Sequence, residues 1–235
     1  IPVITSNTDP GIMSIIEMYA EKNKSELYTY NKYFFINNII KENDHFTFDY
    51  ASDDCTLPNI KLPLFPVHQV KNAAVVITAL CYLRTNGFPG ISNDIIYREL
   101  EKIQIPGRFQ TLCFNPLIIY DPAHNFDALN NLINALKEYF PGKKKIFIIS
   151  MMKDKADNKT LGLFKGLDLI YYLLDDQRAY IPGNDEFNSI VSDDNIIVDI
   201  LKKSDTDNMM IIFTGTFRIY SSAVNISYKL SKENV

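Results

Sequence analysis

From about residue 109 onward, short apolar runs alternate with amphipathic segments, and this alternation constrains the fold more than any other feature of the chain. The runs at 109–114, 117–121, 145–151, 168–174 and 209–214 are rich in Ile, Leu, Phe, Tyr and Met and predict strands. The segments 127–139, 158–165, 194–203 and 218–229 carry apolar residues at helical spacing and predict helices. Strands separated by helices pair in parallel, because a parallel partner requires a crossover long enough to hold a helix. The expectation is an α/β unit with a mainly parallel sheet flanked by helices. In open sheets of this kind, ligands bind beyond the carboxyl ends of the strands. That directs attention to 121–125, 151–155 and 214–218, which should share one edge.

The residues before this region read differently. Asp9-Pro10-Gly11 offers a start signal for a helix whose apolar residues Ile12, Ile15, Ile16 and Tyr19 fall on one face. Two β-like runs, 27–36 and 45–50, flank a polar turn. Residues 51–66, with three prolines, predict a connection with a short strand at 60–62. A long helix follows at 69–86, stopped by Gly87, and Ser92-Asn93-Asp94 supplies capping side chains for another. Pro106-Gly107 interrupts the pattern. It sets an expected boundary between a unit at 1–105 and a unit at 106–235.

Composition narrows the function classes. Hydrophobic residues make up 46% and charged residues 22% of the chain, as in globular proteins. A net charge of -4 argues against nucleic acid as the main partner. The run Lys143-Lys144-Lys145 reads as the solvated start of a strand. No apolar run approaches the roughly 18 residues a membrane span needs, and Ile1-Pro2-Val3 shows no leader pattern. Cys55, Cys81 and Cys113 lack Cys-x-x-Cys spacing and read as free thiols, which points to the reducing cytoplasm. His45, His68 and His124 lack metal-ligand spacing.

Five segments carry candidate chemistry. In Asp121-Pro122-Ala123-His124-Asn125, a carboxylate at a strand tip can accept from ribose hydroxyls, while His124 and Asn125 sit where a helix N-terminus favours an anion. Capping alone accounts for Asp121 and Asn125 equally well. Arg108, after Pro106-Gly107, presents a planar fork suited to phosphate, or it is an ordinary surface-turn residue. Asn72, on the apolar face of the 69–86 helix or at its edge, has the donor and acceptor an adenine edge requires, or it simply faces solvent. Lys153 and Lys155 follow a buried strand in Met151-Met152-Lys153-Asp154-Lys155 and could meet a carboxylate, or could belong to a solvated loop. Thr214-Gly215-Thr216 allows close backbone approach to a ligand.

The order of these segments is more specific than any one of them. Asn72, then Pro-Gly-Arg-Phe-Gln at 106–110, Asp-x-Ala-His-Asn at 121–125, Met-Met-Lys-Asp-Lys at 151–155 and Thr-Gly-Thr at 214–216 closely resembles the C-terminal half of folylpolyglutamate and dihydrofolate synthases of the Mur ligase superfamily. The resemblance runs from residue 69 to about 224 and is looser over 1–66. It implies a C-terminal Rossmann-like domain preceded by the end of a P-loop-type central ATPase domain. It also implies an ATP- and Mg²⁺-dependent ligase that adds L-glutamate to dihydropteroate or tetrahydrofolate polyglutamates, monomeric when complete.

By resemblance, Asn72 contacts adenine, Arg108 the ATP phosphates and Asp121 the ribose. His124 lies near glutamate or phosphate, and Lys153, Lys155 and Thr216 are candidates for glutamate. Two positions depart from the family pattern: Pro122 stands where a small residue is frequent, and Ser150 where glycine is frequent. No Gly-x-x-x-x-Gly-Lys-Ser/Thr motif occurs, and Gly142-Lys143 is the only Gly-Lys pair. The P-loop, the Mg²⁺ ligands and the pterin site are therefore expected outside this chain, leaving it inactive alone. A peptidoglycan-precursor Mur ligase shares Asp-x-Ala-His-Asn and remains an alternative, as does a non-catalytic nucleotide-binding domain descended from a ligase.

Overall fold

The computed structural model describes residues 1–42, 45–63, 66–183, 187, 189–203 and 208–232. The chain divides into two compact units, Ile1–Gln104 and Ile105–Val235.

In the first unit, β1 (Val3–Thr5) and β2 (Leu27–Thr29) form a two-stranded parallel sheet joined through α1 (Pro10–Lys22). Asp9 caps α1, accepting from the Ile12 N–H, and Pro10 begins it. The apolar face expected to be buried is largely open: Ile12, Ile15 and Tyr19 are 47%, 54% and 55% exposed. The single run expected at 27–36 is two strands, because residues 30–33 turn. β3 (Phe34–Lys41), β4 (His45–Ser52) and β5 (Cys55–Pro63) make an antiparallel sheet in that order. On β4, Phe46, Phe48 and Tyr50 point inward at period two.

The expected connection at 51–66 is mostly the strand β5; residues 64 and 65 lie outside the described ones. Pro58 and Pro63 are tolerated there because β5 is an edge strand with nothing to donate to on its outer side. Bulges fall between Asn37 and Ile40 and between Phe48 and Tyr50. The Asp49 carboxylate holds both, accepting from Asn59 N at 2.7 Å and Asn38 Nδ2 at 2.6 Å. α2 (His68–Thr85) buries Val70, Ala73, Ala74, Ile77, Thr78 and Cys81, a stripe at helical spacing. Tyr50 joins this helix to the sheet through a 3.0 Å hydroxyl contact with Thr78. α3 (Asn93–Glu101), capped by Ser92, packs on β5, where Tyr97 Oη donates to Pro58 O.

The second unit holds the six-stranded sheet: β6 (Gln110–Phe114), β7 (Leu117–Tyr120), β8 (Lys144–Ile149), β9 (Asp168–Tyr172), β10 (Ile190–Val191) and β11 (Met209–Thr214), in the order β10-β9-β8-β11-β7-β6. All pairs are parallel except β6 with β7. Its helices are α4 (Phe126–Tyr139), α5 (Asn158–Gly162), α6 (Asp194–Lys202) and α7 (Tyr220–Lys232). The predicted 218–229 helix is α7 preceded by a 3₁₀ turn, Phe217–Ile219.

All six residues of the central strand β11 are buried, because helices cover both faces of a parallel sheet. Ile197, Val198 and Leu201 of α6 and Ala223, Ile226 and Leu230 of α7 pack with Ile118, Ile148, Ile211 and Phe213 into one core. Each fully buried aliphatic side chain contributes about 1.5–3 kcal/mol. This core fixes the strand tips that carry the site. Among the described residues, no helix is long and apolar enough to cross a membrane.

Candidate functional site at the carboxyl edge of the sheet

Because β7, β11 and β8 run parallel as neighbours, the segments that leave their carboxyl ends emerge side by side. Backbone bonds lock them. Asp121 N donates to Phe213 O at 3.0 Å, Ser150 N to Thr214 O at 3.2 Å and Gly215 N to Ala123 O at 2.8 Å. Thr214 Oγ1 also donates to Ala123 O, at 3.1 Å. Gly215 is at φ +97, and a Cβ there would lie 2.2 Å from Ser150 O. Only glycine lets the two loops approach this closely. The Ser150 hydroxyl is buried and has no hydrogen-bond partner among the described residues.

Asp121 is 9% exposed, and both carboxylate oxygens are engaged: Oδ1 accepts from Ala123 N and Oδ2 from Phe109 N, each at 2.9 Å. The second bond brings the Arg108 turn to the same edge, where the antiparallel β6 begins. That turn is further fixed by Gly107 N donating to Gln110 Oε1 at 2.7 Å and Arg108 N to Ile105 O at 3.0 Å. Tyr220 Oη donates to the same Gln110 oxygen. The Arg108 head is exposed, its guanidinium carbon 5.2 Å from the centre of the Phe217 ring.

His124 Nδ1 lies 2.8 Å from Pro122 O. A carbonyl only accepts, so Nδ1 carries the proton and Nε2 of the neutral ring keeps its lone pair. Asn125 caps α4 by accepting from Ala128 N, which places His124 beside a 14-residue helix N-terminus, where negative charge is favoured.

Thr216 is buried and caps the 3₁₀ turn by accepting from Arg218 N at 3.3 Å. Its carbonyl accepts from Tyr120 Oη. Burial first, then the nearby Asp121 charge, pushes the Tyr120 phenol upward, so it stays a donor. Lys153 Nζ donates to Gln177 O at 2.8 Å, and Lys155 pairs with exposed Asp154 at 3.3 Å.

The structure thus gathers Arg108, Asp121, His124, Lys153, Lys155 and Thr216 on one sheet edge. Asn72 lies in the other unit. It is exposed rather than on the apolar stripe of α2, and donates to Gln69 Oε1 at 2.8 Å.

Sequence reasoning missed Asp176 and Arg178 on the sheet edge, and gave no role to Arg218 although it closes the 214–218 segment. Asp176 and Arg178 follow β9, and both arginines pair with the Asp176 carboxylate. The available signal was charge just beyond a strand tip, the same signal that drew attention to Lys153.

A model for the glutamate ligase domain of Mur ligases matches residues 107–212. The chain carries a Mur ligase glutamate ligase domain. The matched residues take in Arg108, Asp121, His124, Lys153 and Lys155 of the sheet edge described above. The dihydrofolate synthase/folylpolyglutamate synthase of Bacillus subtilis (strain 168) is 26% identical over 66% of the chain and 36% of that protein. The corresponding protein of Escherichia coli (strain K12) is 35% identical over 51% of the chain and 27% of that protein. In structure, the chain is similar to folylpolyglutamate synthase from Thermotoga maritima (TM-score 0.74, 22% identity, 99% of this chain, 54% of that one). It is also similar to the Mycobacterium tuberculosis folylpolyglutamate synthase complexed with ADP and AMPPCP (TM-score 0.79, 17% identity, 96% and 54%). The chain therefore spans about a third of the curated relatives it matches and about half of the solved chains.

Proposed function

We propose that this chain serves as the C-terminal part of an ATP-dependent amide ligase that joins L-glutamate to dihydropteroate, to folate polyglutamate tails, or to both. In the proposed reaction the γ-phosphoryl of ATP passes to a substrate carboxylate and ADP leaves. The glutamate amine then attacks the acyl phosphate, phosphate leaves, and the nitrogen loses a proton. The observation that carries this reading is the convergence of Arg108, Asp121 and His124 on the carboxyl edge of one parallel sheet.

The geometry supports some of the proposed roles, and the family resemblance supplies the others. Arg108 offers an exposed guanidinium to developing phosphate charge. Asp121 holds the turn that presents it. The Nε2 lone pair of His124 suits contact with an amine, or, protonated, with phosphate. Asn72 is assigned to adenine, and Lys153, Lys155 and Thr216 to glutamate. Thr216 would act through its backbone, since its hydroxyl caps the turn.

The first unit is read as the end of a larger ATPase domain. Its isolated two-stranded parallel sheet and the open apolar face of α1 support this, because parallel sheets are normally covered on both faces. Among the described residues no group of three or more His, Cys, Asp or Glu could hold a metal ion. The ligands of the Mg²⁺ that such a ligase uses are assigned, by the family resemblance, to the upstream part.

The test is phosphate release from ATP by protein carrying this chain together with its upstream sequence, and by this chain alone. Release that requires both L-glutamate and a pteroate or folate, and occurs only with the longer protein, is the expected result. Release that requires a UDP-linked muramoyl substrate instead would overturn the folate assignment. That alternative has some support: UDP-N-acetylmuramate--L-alanine ligase of Cytophaga hutchinsonii is 29% identical over 48% of the chain.

A further inference from the structure

Beyond the residues assigned so far, the sheet edge carries a second cationic cluster. Arg218, next to Phe217 in the turn after β11, reaches across the position of β8 to pair with Asp176 in the loop after β9. Asp176 also accepts from the main-chain N–H of Arg178 at 2.8 Å and forms an ion pair with its Nε at 3.6 Å. Its side chain is 13% exposed, while those of Arg218 and Arg178 are 48% and 69% exposed. One largely covered carboxylate thus pairs with two partly exposed guanidinium groups, leaving the trio with a charge of +1.

The base of this arrangement is rigid. Lys153 N donates to Arg178 O at 2.9 Å and Tyr180 N to Met151 O at 2.8 Å, while Lys153 Nζ is clipped to Gln177 O. Tyr171 Oη accepts from Met151 N and donates to Tyr180 O. The loops after β8 and β9 therefore form one platform, and Arg218 is tied to it only through Asp176 among the described ion pairs.

Building on the ligase reading, we propose that Arg218 and Arg178 receive the carboxylates of the incoming amino acid, and that Asp176 is the positioning residue holding Arg218 for that task. Two oriented forks separated by a fixed carboxylate select a dicarboxylic amino acid over its amide or monocarboxylic analogue, because guanidinium groups match carboxylates in plane and charge. The clipping of Lys153 to a carbonyl makes it a support for this platform rather than the main carboxylate partner.

The decisive comparison is Arg218→Ala, Arg218→Lys and Asp176→Asn in the ligase with its upstream part, with KM for L-glutamate, KM for ATP and kcat measured separately. Arg218→Ala is expected to raise KM for glutamate at least tenfold, with KM for ATP unchanged and partial rescue by lysine. Asp176→Asn makes the cluster more positive. If charge alone mattered, KM for glutamate would fall; if Asp176 positions Arg218, it rises. Unchanged or lower KM in these variants overturns the proposal while leaving the ligase reading intact.

Should no ligation occur with any amino acid, titration of the 235-residue chain with glutarate, followed through the arginine Nε–H resonances, tests the site independently. Saturable shifts lost in Arg218→Ala support it, and equal responses in the variant and wild type overturn it.

Discussion

The amide of Phe109 donates to the Asp121 carboxylate at 2.9 Å, so the strand tip assigned to ribose also anchors the residue that follows Arg108. Phe109 is held at φ +44, a conformation unfavourable for an aromatic residue, and is buried. The bond compensates that strain. Asp121→Ala leaves the Phe109 and Ala123 amides without their acceptor. It is expected to cost about 3 kcal/mol of unfolding free energy, in the range for unsatisfied buried donors. Asp121→Asn, which keeps one acceptor oxygen, should cost roughly half as much. Urea denaturation of the two variants checks the order. Equal and negligible losses would mean that the carboxylate does not anchor the turn.

Gly215→Ala is the most damaging small substitution expected in the site. The new methyl carbon would lie 2.2 Å from a main-chain oxygen of Ser150, and φ is +97. Neither strand end can retreat without breaking the bonds from Gly215 N to Ala123 O and from Ser150 N to Thr214 O. A loss of roughly 3 kcal/mol or more follows from overpacking plus backbone strain. Thermal unfolding of the variant measures it. Wild-type stability would show that the two loops are not in contact in solution.

Asp49 gives a pH signature for the first unit. Backbone donation from Asn59, then side-chain donation from Asn38, hold its carboxyl below the ordinary value of 3.8. A carboxylate depressed on folding contributes stability that is full above its unfolded value and disappears as pH falls through the folded one. Wild type should therefore exceed Asp49→Ala in melting temperature at pH 6, with the gap closing below about pH 3.8. Asp157, also lowered, titrates in both proteins and cancels in the difference. A gap independent of pH would assign the effect to packing.

How far the sequence revealed all this depended on whether the signal was local. β11 and β8 were legible because buried parallel strands are continuous apolar runs. The caps Asp9, Ser92 and Asn125 were legible because a capping side chain acts within three residues. β5 was read mostly as a connection because Pro58 and Pro63 outweighed its alternation and the slip at Asn59 moved Ile60 and Leu62 out of phase with Leu57. β10, two residues long, has no period to detect. In the site, Arg108 and Asp121 stood in recognisable motifs, but the bond between their segments did not. Asp176 and Arg218 carried no motif at all, since what pairs them is the strand order β9-β8-β11, which places distant loops together.

Arg108 and Asn72 should separate cleanly in kinetics. The Arg108 backbone is fixed by Ile105 O and, through Phe109, by Asp121, while its head rests over Phe217 and stays exposed. Truncating such a side chain removes no buried contact, so Arg108→Ala should change stability by only about 0.5 kcal/mol or less. In the ligase with its upstream part it should nevertheless lower turnover by roughly ten- to a thousand-fold, the loss expected when one electrostatic stabiliser of a charged transition state is removed. Arg108→Lys keeps the charge but loses the fork and the stacking on Phe217, and should recover only part of the rate. Asn72→Ala, at an exposed position on α2, should instead raise KM for ATP with little change in kcat, because a base contact is equally strong before and during the reaction. Near-normal turnover of Arg108→Ala at saturating ATP would return Arg108 to the rank of a surface-turn residue, and an unaltered KM in Asn72→Ala would leave that amide as no more than a partner of Gln69.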